Sequence, residues 1–390
     1  MGDSDRDNLT ARTVGSMADI DPAAWDACAG DTNPFVSHGF LSALEDSGSA
    51  TRETGWMPSH VVVENAENQL VAAAPAYIKS HSQGEFVFDY GWANAFERAG
   101  GQYYPKLLVA VPFSPVPGPR LLAGDGPGAP ALRRVLALAL AQIAIQANLS
   151  SVHVNFTTSD EWETMGDLGY LQRTGVQFHW ENQDYTCFDD FLGALSSRKR
   201  KAIRKERRAI EESDIELEVV CGSAIRDEQW DAFFGFYMDT GNRKWGTPYL
   251  TRSFFDTLTE RLGDKVILFL YRRQGRLIAG ALNLAGADTL YGRYWGCIED
   301  HRFLHFEACY YQAVDFAIAH GLQRVEAGAQ GEHKIQRGYL PVRTYSAHWI
   351  THEGLRDAVA RFLKEETRHV DWEVEAILRE YSPFRKGDSA

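Results

Sequence analysis

Cysteine is scarce in this chain of 390 residues. Five cysteines stand at positions 28, 187, 221, 297 and 309. Their number is odd and none forms a CxxC pair, which excludes a disulfide framework and a structural zinc site. Each is expected to pack as a small hydrophobe. Positive charge is short as well. Forty Lys and Arg face 53 Asp and Glu, for a formal charge of −13. A general nucleic-acid binder is excluded, and any phosphate partner must be met by a local basic patch. Long apolar runs are missing too. The most apolar window, Val135 to Ala147, is broken by Gln142 and falls short of a bilayer core of ~30 Å. The opening MGDSDRDNLTARTVG is polar and acidic, without the apolar centre of a signal peptide. These absences describe a soluble, cytoplasmic protein with no membrane span.

What is present is enough apolar material to fold. Hydrophobic residues make up 44% of the chain, well outside the disordered range. The length implies two domains, because a single core rarely grows past ~250–300 residues. The boundaries are placed at 1–186, 187–213 and 214–390, with the middle piece a basic linking helix and the last piece carrying the active site.

In the first half, 60–64 and 70–80 read as paired strands and 86–92 as a third strand ending in aromatics. The prolines at 105, 112, 115, 117, 119, 127 and 130 make 93–130 a long irregular loop, since proline fixes φ and removes a donor. Such loops are usually functional, and Arg120 is the candidate anion contact. A helix over 130–147, a strand over 151–156, a short helix capped by Ser159 and a strand over 171–181 follow. In the second half, 215–220 is a strand, 227–239 and 251–262 are helices, and 266–272 with 276–284 form a hairpin around Gln274-Gly275. The order strand, helix, strand, short helix, strand then returns between Asp288 and Ile350. Residues 355–381 form a charged helix with Phe362, Val370 and Ile377 as its apolar stripe.

Local echoes point to a duplication. Gly169-Tyr170-Leu171 precedes Phe178-His179-Trp180, and Gly338-Tyr339-Leu340 precedes Ala347-His348-Trp349 at the same spacing. Tyr90-Gly91-Trp92 and Tyr294-Trp295-Gly296 are expected to end equivalent strands. Repeats this long mean duplicated domains, not a solenoid of ~20–50-residue period.

Between the halves, Asp189 to Ser213 reads as one helix. Eight of the eleven residues from Arg198 to Arg208 are Lys or Arg. In so acidic a chain, this strip is a candidate phosphate surface, with Lys199, Arg200, Arg204 and Arg208 as donor- or anion-binding residues. Lys199 alone falls inside the apolar stripe of the helix.

The working site is read from residues crowded at element ends beside Gly328, Gly331 and Gly338. Glu332 and His333 are candidate general bases, with Glu307 and His305 as further acid/base groups. Arg293, Tyr294, Trp295, Gln330, Lys334 and Arg337 are candidate substrate contacts, joined by Asp89, Trp92 and Arg120 from the first half. Arg243, Lys244 and Trp245 form a weaker group. A buried Arg293 needs a partner, and Glu307 or Glu326 is the expected one. His301 and His305 stand i, i+4, a spacing that can hold a metal, but no metal is assigned. No Ser, Cys or Thr stands out as a nucleophile, so no covalent intermediate is expected.

The run YWG…LHFEACYYQ…AIAHGL…EAGAQGEHK…RGYLP…YSAHW, with NPFVSHGFLSALEDSGSA, DYGWANAF, YYPKLLVAVPFSPVPGPRLL and SSRKRKAIRKERRAIEE, resembles the FemAB-like branch of the GNAT acyltransferase superfamily over roughly residues 10–385. The resemblance implies an α/β fold of two tandem GNAT-like domains. It also implies transfer of an acyl or aminoacyl group to the amine of a peptide, amino acid or nucleotide-linked acceptor. No cofactor is bound; the donor is aminoacyl-tRNA or acyl-CoA, and tRNA and a small-molecule or peptide acceptor are the partners. Ordinary GNAT enzymes seat the CoA pyrophosphate on a [QR]xxGx[GA] loop before the long helix. Here that slot reads His301-Arg302-Phe303-Leu304-His305-Phe306, without the glycines that let backbone N–H groups close on phosphate. The stretch Gly124–Pro130 in the first half also fails the pattern. The departure leans toward a Fem-type donor.

Overall fold

The computed structural model describes residues 9–244, 248–328 and 331–385, without the side chains of 242–244 and 332. In chain order the elements are β1 (Thr10–Val14), α1 (Pro22–Ala29), α2 (His38–Asp46), β2 (Trp56–Pro58), β3 (His60–Glu64), β4 (Leu70–Ala74), β5 (Ala76–Lys79), α3 (Tyr90–Arg98), β6 (Lys106–Val109), α4 (Ala129–Gln146), β7 (Ser151–Thr157), α5 (Ser159–Asp167) and β8 (Leu171–Glu181). Next come α6 (Phe188–Ala194), α7 (Ser197–Glu211), β9 (Ile215–Cys221), α8 (Asp227–Lys244), α9 (Arg252–Leu262), β10 (Val266–Arg273), β11 (Arg276–Ala285) and β12 (Thr289–Cys297). The chain closes with α10 (Leu304–Phe306), a π turn (Glu307–Tyr311), α11 (Gln312–Ala319), β13 (Arg324–Glu326), a 3-10 turn (Glu332–Arg337), β14 (Leu340–Ile350), α12 (Glu353–Ala376) and a second π turn (Ile377–Tyr381).

Two compact units result. Unit 1 is Met1–Gly175 with Arg343–Asp371, and unit 2 is Val176–Val342 with Trp372–Ala390. The division falls inside β8, β14 and α12, whereas the sequence placed it at 186 and 213. Packing follows space, not chain order, so most of β14 and α12 belongs with the first unit.

In unit 1 the strands run β2-β5-β6-β7-β14, and β1-β3-β4 form a separate small sheet. The expected single strand over 70–80 is broken at Pro75, which has no N–H for a ladder; β4 then pairs with β3 and β5 with β6. Alternation gives the larger sheet two different faces. Leu107, Val109, Val152, Val154 and Ala347 enter an apolar cluster with Leu136, Ala137, Leu140 and Ala144 of α4. The apolar sequence window 135–147 is by itself too short for a bilayer core. The helix itself has 18 residues and is long and apolar enough, by length and composition, to cross a membrane. One face of it is core, while Leu138 and Ile145 are exposed.

The opposite sheet face carries Lys79, Lys106, His153 and His348, all buried. The ammonium of Lys106 donates to Asp89 (2.5 Å), Glu85 (2.8 Å) and Ser82 (2.8 Å), which satisfies all three of its protons. Tyr103 donates to the same Asp89 at 2.7 Å. His153 Nδ1 lies 2.7 Å from His348 Nδ1. Burial pushes His153 down to about 3 and His348 well below its ordinary value, so both rings are neutral and one donates to the other. Burial also lifts Glu85 and lowers Lys79, each to about 7.

In unit 2 the strand order is β8-β13-β12-β11-β10-β9. Gln274 and Gly275, at φ 49° and 78°, make the tight turn of the β10–β11 hairpin, whose type I′ geometry needs two positive φ values. Gly280 and Gly296 are cross-strand partners. A Cβ on Gly280 would meet the Phe233 ring, and one on Gly296 would fall on the Phe236 backbone. The two glycines are therefore the seat on which α8 lies.

The repeated Gly-Tyr-Leu motifs occupy matching places. Gly169 and Gly338 have φ of 87° and 93°, the following tyrosines are buried, and each motif leads into an eleven-residue strand. The other echo fails: Tyr294–Gly296 is in β12, but Tyr90–Trp92 opens α3, and 86–92 is not a strand. Phe86 sits at φ 60°, which no strand accommodates. The helix expected over 189–213 is two helices, because Leu195 is extended and forms a bridge to Phe384. The cap of α5 is Thr158 with Glu161 in a reciprocal capping box, not Ser159. Phe362 is exposed; the buried side of α12 is Leu355, Val359, Leu363, Val370 and Val374.

Replacing Lys106 with Met leaves buried Asp89 without its cation and Glu85 with only Lys79, 4.0 Å away. Lys106→Met is expected to lose about 3–5 kcal/mol of unfolding free energy, read by urea denaturation; a loss under ~1 kcal/mol would mean the cluster is reached by solvent.

Candidate active site

In unit 2, β11 and β12 leave a cavity of about 350 Å³ above their faces, lined by Asn283, Arg293, Tyr294, Trp295, His305, Cys309, Tyr310 and His333, among others. The size suits a group of amino-acid to small-peptide dimensions. The β11–β12 register shifts between Leu282 and Asn283, which leaves Arg293 as the extra residue of a bulge, and with alternation interrupted Arg293, Tyr294 and Trp295 all line the cavity. The other wall comes from the π turn. One extra residue widens the helix there: Cys309 and Tyr310 line the cavity, while Glu307 and Tyr311 bond to α7.

Aromatic edges define the interior. His305 lies edge-on to Trp295 (5.6 Å) and Tyr310 (5.5 Å) and 6.2 Å from His333. His333 Nε2 and the Tyr310 hydroxyl share a hydrogen bond of 2.7 Å. Gly331, at φ 118°, precedes this turn, and a Cβ there would collide with the His333 ring. The glycine is what lets the imidazole fold back over the opening.

Cations surround the cavity. Lys334 is buried and donates to the Gly328 carbonyl at 2.6 Å. Burial pushes it down to about 8, with Cys309 working against the shift and Arg293 reinforcing it. A neutral amine is therefore accessible near physiological pH. Burial likewise lowers Arg293, against the pull of Tyr294 and Glu326. Of its two expected partners, Glu326 is the one whose charge reaches it; Glu307 is bonded to Arg207 at 3.2 Å.

The remaining candidates are distributed as follows. Arg337 is bonded to Glu206 (2.9 Å) and the His333 carbonyl (2.9 Å), with its guanidinium 3.4 Å above the Phe306 ring. It holds the turn in place and is a positioning residue, not an open anion contact. Gln330, Trp245 and the side chains of Glu332, Arg243 and Lys244 lie outside the described residues. Asp89, Trp92 and Arg120 fall in unit 1 and do not join this cavity. Asp89 is held by Lys106 and Tyr103. Trp92 stacks on His153, with Arg173 over its ring. Arg120 donates its guanidinium to the carbonyls of Val116, Gly118, Pro119 and Asn155; the expected anion contact is a backbone clamp. His301 bonds to Glu299 at 2.8 Å. Cys309 and Tyr310 were missed by sequence reasoning. Nothing local marks them, since they sit in an apolar helical run and only the π turn directs them inward.

On α7, Arg198, Lys201, Arg204, Lys205 and Arg208 are exposed, and Lys199 and Arg200 half-buried. Arg204 pairs with Asp189 at 3.0 Å. Among the described residues, Arg198, Lys199, Arg200, Lys201, Lys205 and Arg208 make no ion pair.

The profile of the FemAB-like family, described as peptidoglycan biosynthesis/recognition, matches residues 16–386. No protein of curated function is detectably similar in sequence. Among solved structures, FemX is similar at 12% identity and TM-score 0.55, covering 87% of this chain and 98% of its own. L-PGS from Bacillus licheniformis follows at 11% and 0.51, covering 86% and 98%. A conserved protein of unknown function from Bacteroides thetaiotaomicron has 11% and 0.53, covering 87% and 100%. The chain therefore belongs to the FemAB-like family, and its α/β fold is the one it shares with FemX.

Burial, only partly offset by Arg207, lifts Glu307 from 4.5 to about 7. The folded chain then holds this proton more tightly than the unfolded one. Its contribution to stability is full below pH 4.5 and is lost as pH rises to about 7. Glu307→Gln removes the titration, so between pH 5 and pH 8 the variant should gain about 2 kcal/mol relative to the parent, measured by urea unfolding at both values. Parallel pH profiles would show that Glu307 ionises as in water.

Proposed function

We propose that this chain, a member of the FemAB-like family, is a transferase of acyl or aminoacyl groups and moves an aminoacyl group from aminoacyl-tRNA to an amine of a peptidoglycan-precursor peptide. The cavity of unit 2 is the transfer site. The observation that carries this reading is the His333–Tyr310 pair at the edge of an aromatic, cation-flanked cavity of about 350 Å³.

The chemistry asks for three things. The attacking amine must lose a proton, and His333, which lines the cavity, is the base for that task. The carbonyl oxygen that gathers charge must meet donors, and the Tyr310 hydroxyl and Arg293 are the groups in place. The donor ester must be oriented so that its acyl C–O bond breaks as the C–N bond forms, with the proton taken by His333 passing to the departing ribose oxygen, and the unpaired cations of α7, Lys199, Arg200 and Arg208 together with Arg204, offer a phosphate surface for the RNA. Transfer is direct, from ester to amine, with no acyl-enzyme.

The local backbone supports an RNA donor over acyl-CoA. Phe303 stands at φ 74° where a phosphate loop would need glycine, and α10 lasts three residues before the π turn.

The test is label transfer from a pool of radiolabelled aminoacyl-tRNA to a soluble nucleotide-linked peptidoglycan precursor. His333→Ala and Tyr310→Phe are expected to lower kcat/KM by roughly 10²-fold while the thermal midpoint stays within a few degrees. Undiminished turnover in both variants would remove the site assignment. Transfer from acetyl-CoA in place of aminoacyl-tRNA would remove the donor.

A further inference from the structure

Helix α7 has two opposed faces of identical spacing. Lys201, Arg204, Lys205 and Arg208 stand at i, i+3, i+4 and i+7 and are exposed. Ile203, Glu206, Arg207 and Ile210 repeat the same spacing two residues later, so they point the opposite way. Both isoleucines are buried in the unit 2 core.

The two charged residues of that inner face are bonded to the two turns that wall the cavity. Arg207 donates to Glu307 at the start of the π turn (3.2 Å) and pairs with Asp315 (2.6 Å). Glu206 accepts from Arg337 at the end of the 3-10 turn (2.9 Å) and from the Tyr311 hydroxyl in the π turn. The π turn carries Cys309 and Tyr310, and the 3-10 turn carries His333 and Lys334. No other helix in the described residues makes ion pairs to both turns.

We propose that Glu206 and Arg207 are positioning residues that transmit polyanion docking on the outer face of α7 to the cavity walls. The inference rests on the RNA-binding reading of α7, which this stripe shares through Arg204 and Arg208. An RNA on the outer stripe draws four closely set cations together and shifts the helix along or about its axis. Ile203 and Ile210, seated in the core, are the pivot of that movement, and the ion pairs of Glu206 and Arg207 move with the inner face. The shift is therefore passed to the turns. Arg207 supplies the discrete alternative such coupling requires: it is shared between buried Glu307 and half-exposed Asp315, and it can hold Asp315 alone when Glu307 is released. The raised proton affinity of Glu307 makes that release accessible near neutral pH.

Cys309 is the reporter, since it lines the cavity and belongs to the π turn. The full chain is treated with iodoacetamide, with and without saturating deacylated bulk tRNA, and the Cys309 peptide is followed by mass spectrometry apart from exposed Cys187. Binding of the same tRNA is measured separately by fluorescence anisotropy. In the parent, tRNA is expected to change the Cys309 alkylation rate about five-fold or more. In Glu206→Gln/Arg207→Gln, tRNA should bind with affinity within about two-fold of the parent, while the rate no longer responds. Glu206→Asp/Arg207→Lys keeps both charges and is expected to restore the response, which a merely misfolded double variant would not predict. A parent rate unchanged by bound tRNA overturns the proposal and leaves the RNA surface standing. A response that persists in the Gln pair shows direct occlusion by the RNA and also overturns it. Failure of tRNA to bind removes the RNA reading and this inference together.

Discussion

A charge held under a sheet survives only where an opposite charge or a full set of hydrogen bonds meets it, and both units are shaped by that constraint. Lys106 is the plainest case. It sits on a strand whose neighbours face an apolar core, yet its own face must be polar. Three oxygens from the segment 82–89 converge on it, and the irregular chain there is the consequence. Asp89 cannot be released to a substrate without abandoning Lys106, so this polar face of unit 1 is closed by its own residues. Unit 2 solves the same problem differently. Arg207 and Arg337 answer Glu307 and Glu206 between α7 and the two turns, which leaves the face of β11 and β12 open as a cavity. One unit spends its buried charges on cohesion, and the other arranges them around a space.

Much of this was legible from residue pattern alone. The strands of both halves follow from alternation and β-branched content, and the Gly-Tyr-Leu echoes marked two strand entries because only a left-handed residue fits there. Pattern failed where the deciding contact is distant. Aromatic residues over 86–92 satisfy a strand and a helix start equally, and the choice was made by Asp89, which must reach Lys106. The break at Leu195 depends on a bridge to Phe384, far along the chain. Arg120 carries an anion-binder's chemistry, but its surroundings are carbonyls supplied by the proline-rich loop itself.

The candidate site divides in the same manner. His305, His333, Arg293, Tyr294 and Trp295 were assigned from their crowding at element ends, and all line the cavity. Cys309 and Tyr310 were invisible because an apolar helical run gives no hint of a π turn. Arg337 and Glu307 were assigned to substrate and chemistry, while the structure ties both to α7. A side chain's type announces what it can bind; whether it is free to do so depends on neighbours that sequence spacing does not supply.

The π turn joins these strands of reasoning. A regular helix over 304–319 would keep the i, i+4 register and carry Tyr310 and Tyr311 to positions one hundred degrees apart on a single continuous cylinder. The wider turn instead lets Tyr311 reach Glu206 while Tyr310 reaches His333. The element that opens the cavity is thereby the same element that is anchored to the basic helix. A π turn is less favourable than an α-helical one, and here the cost is offset by two hydroxyl hydrogen bonds and the Arg207–Glu307 pair. That exchange explains why the irregularity falls at this position and nowhere else along the helix: only here do a cavity on one side and a charged helix on the other both make demands on consecutive residues.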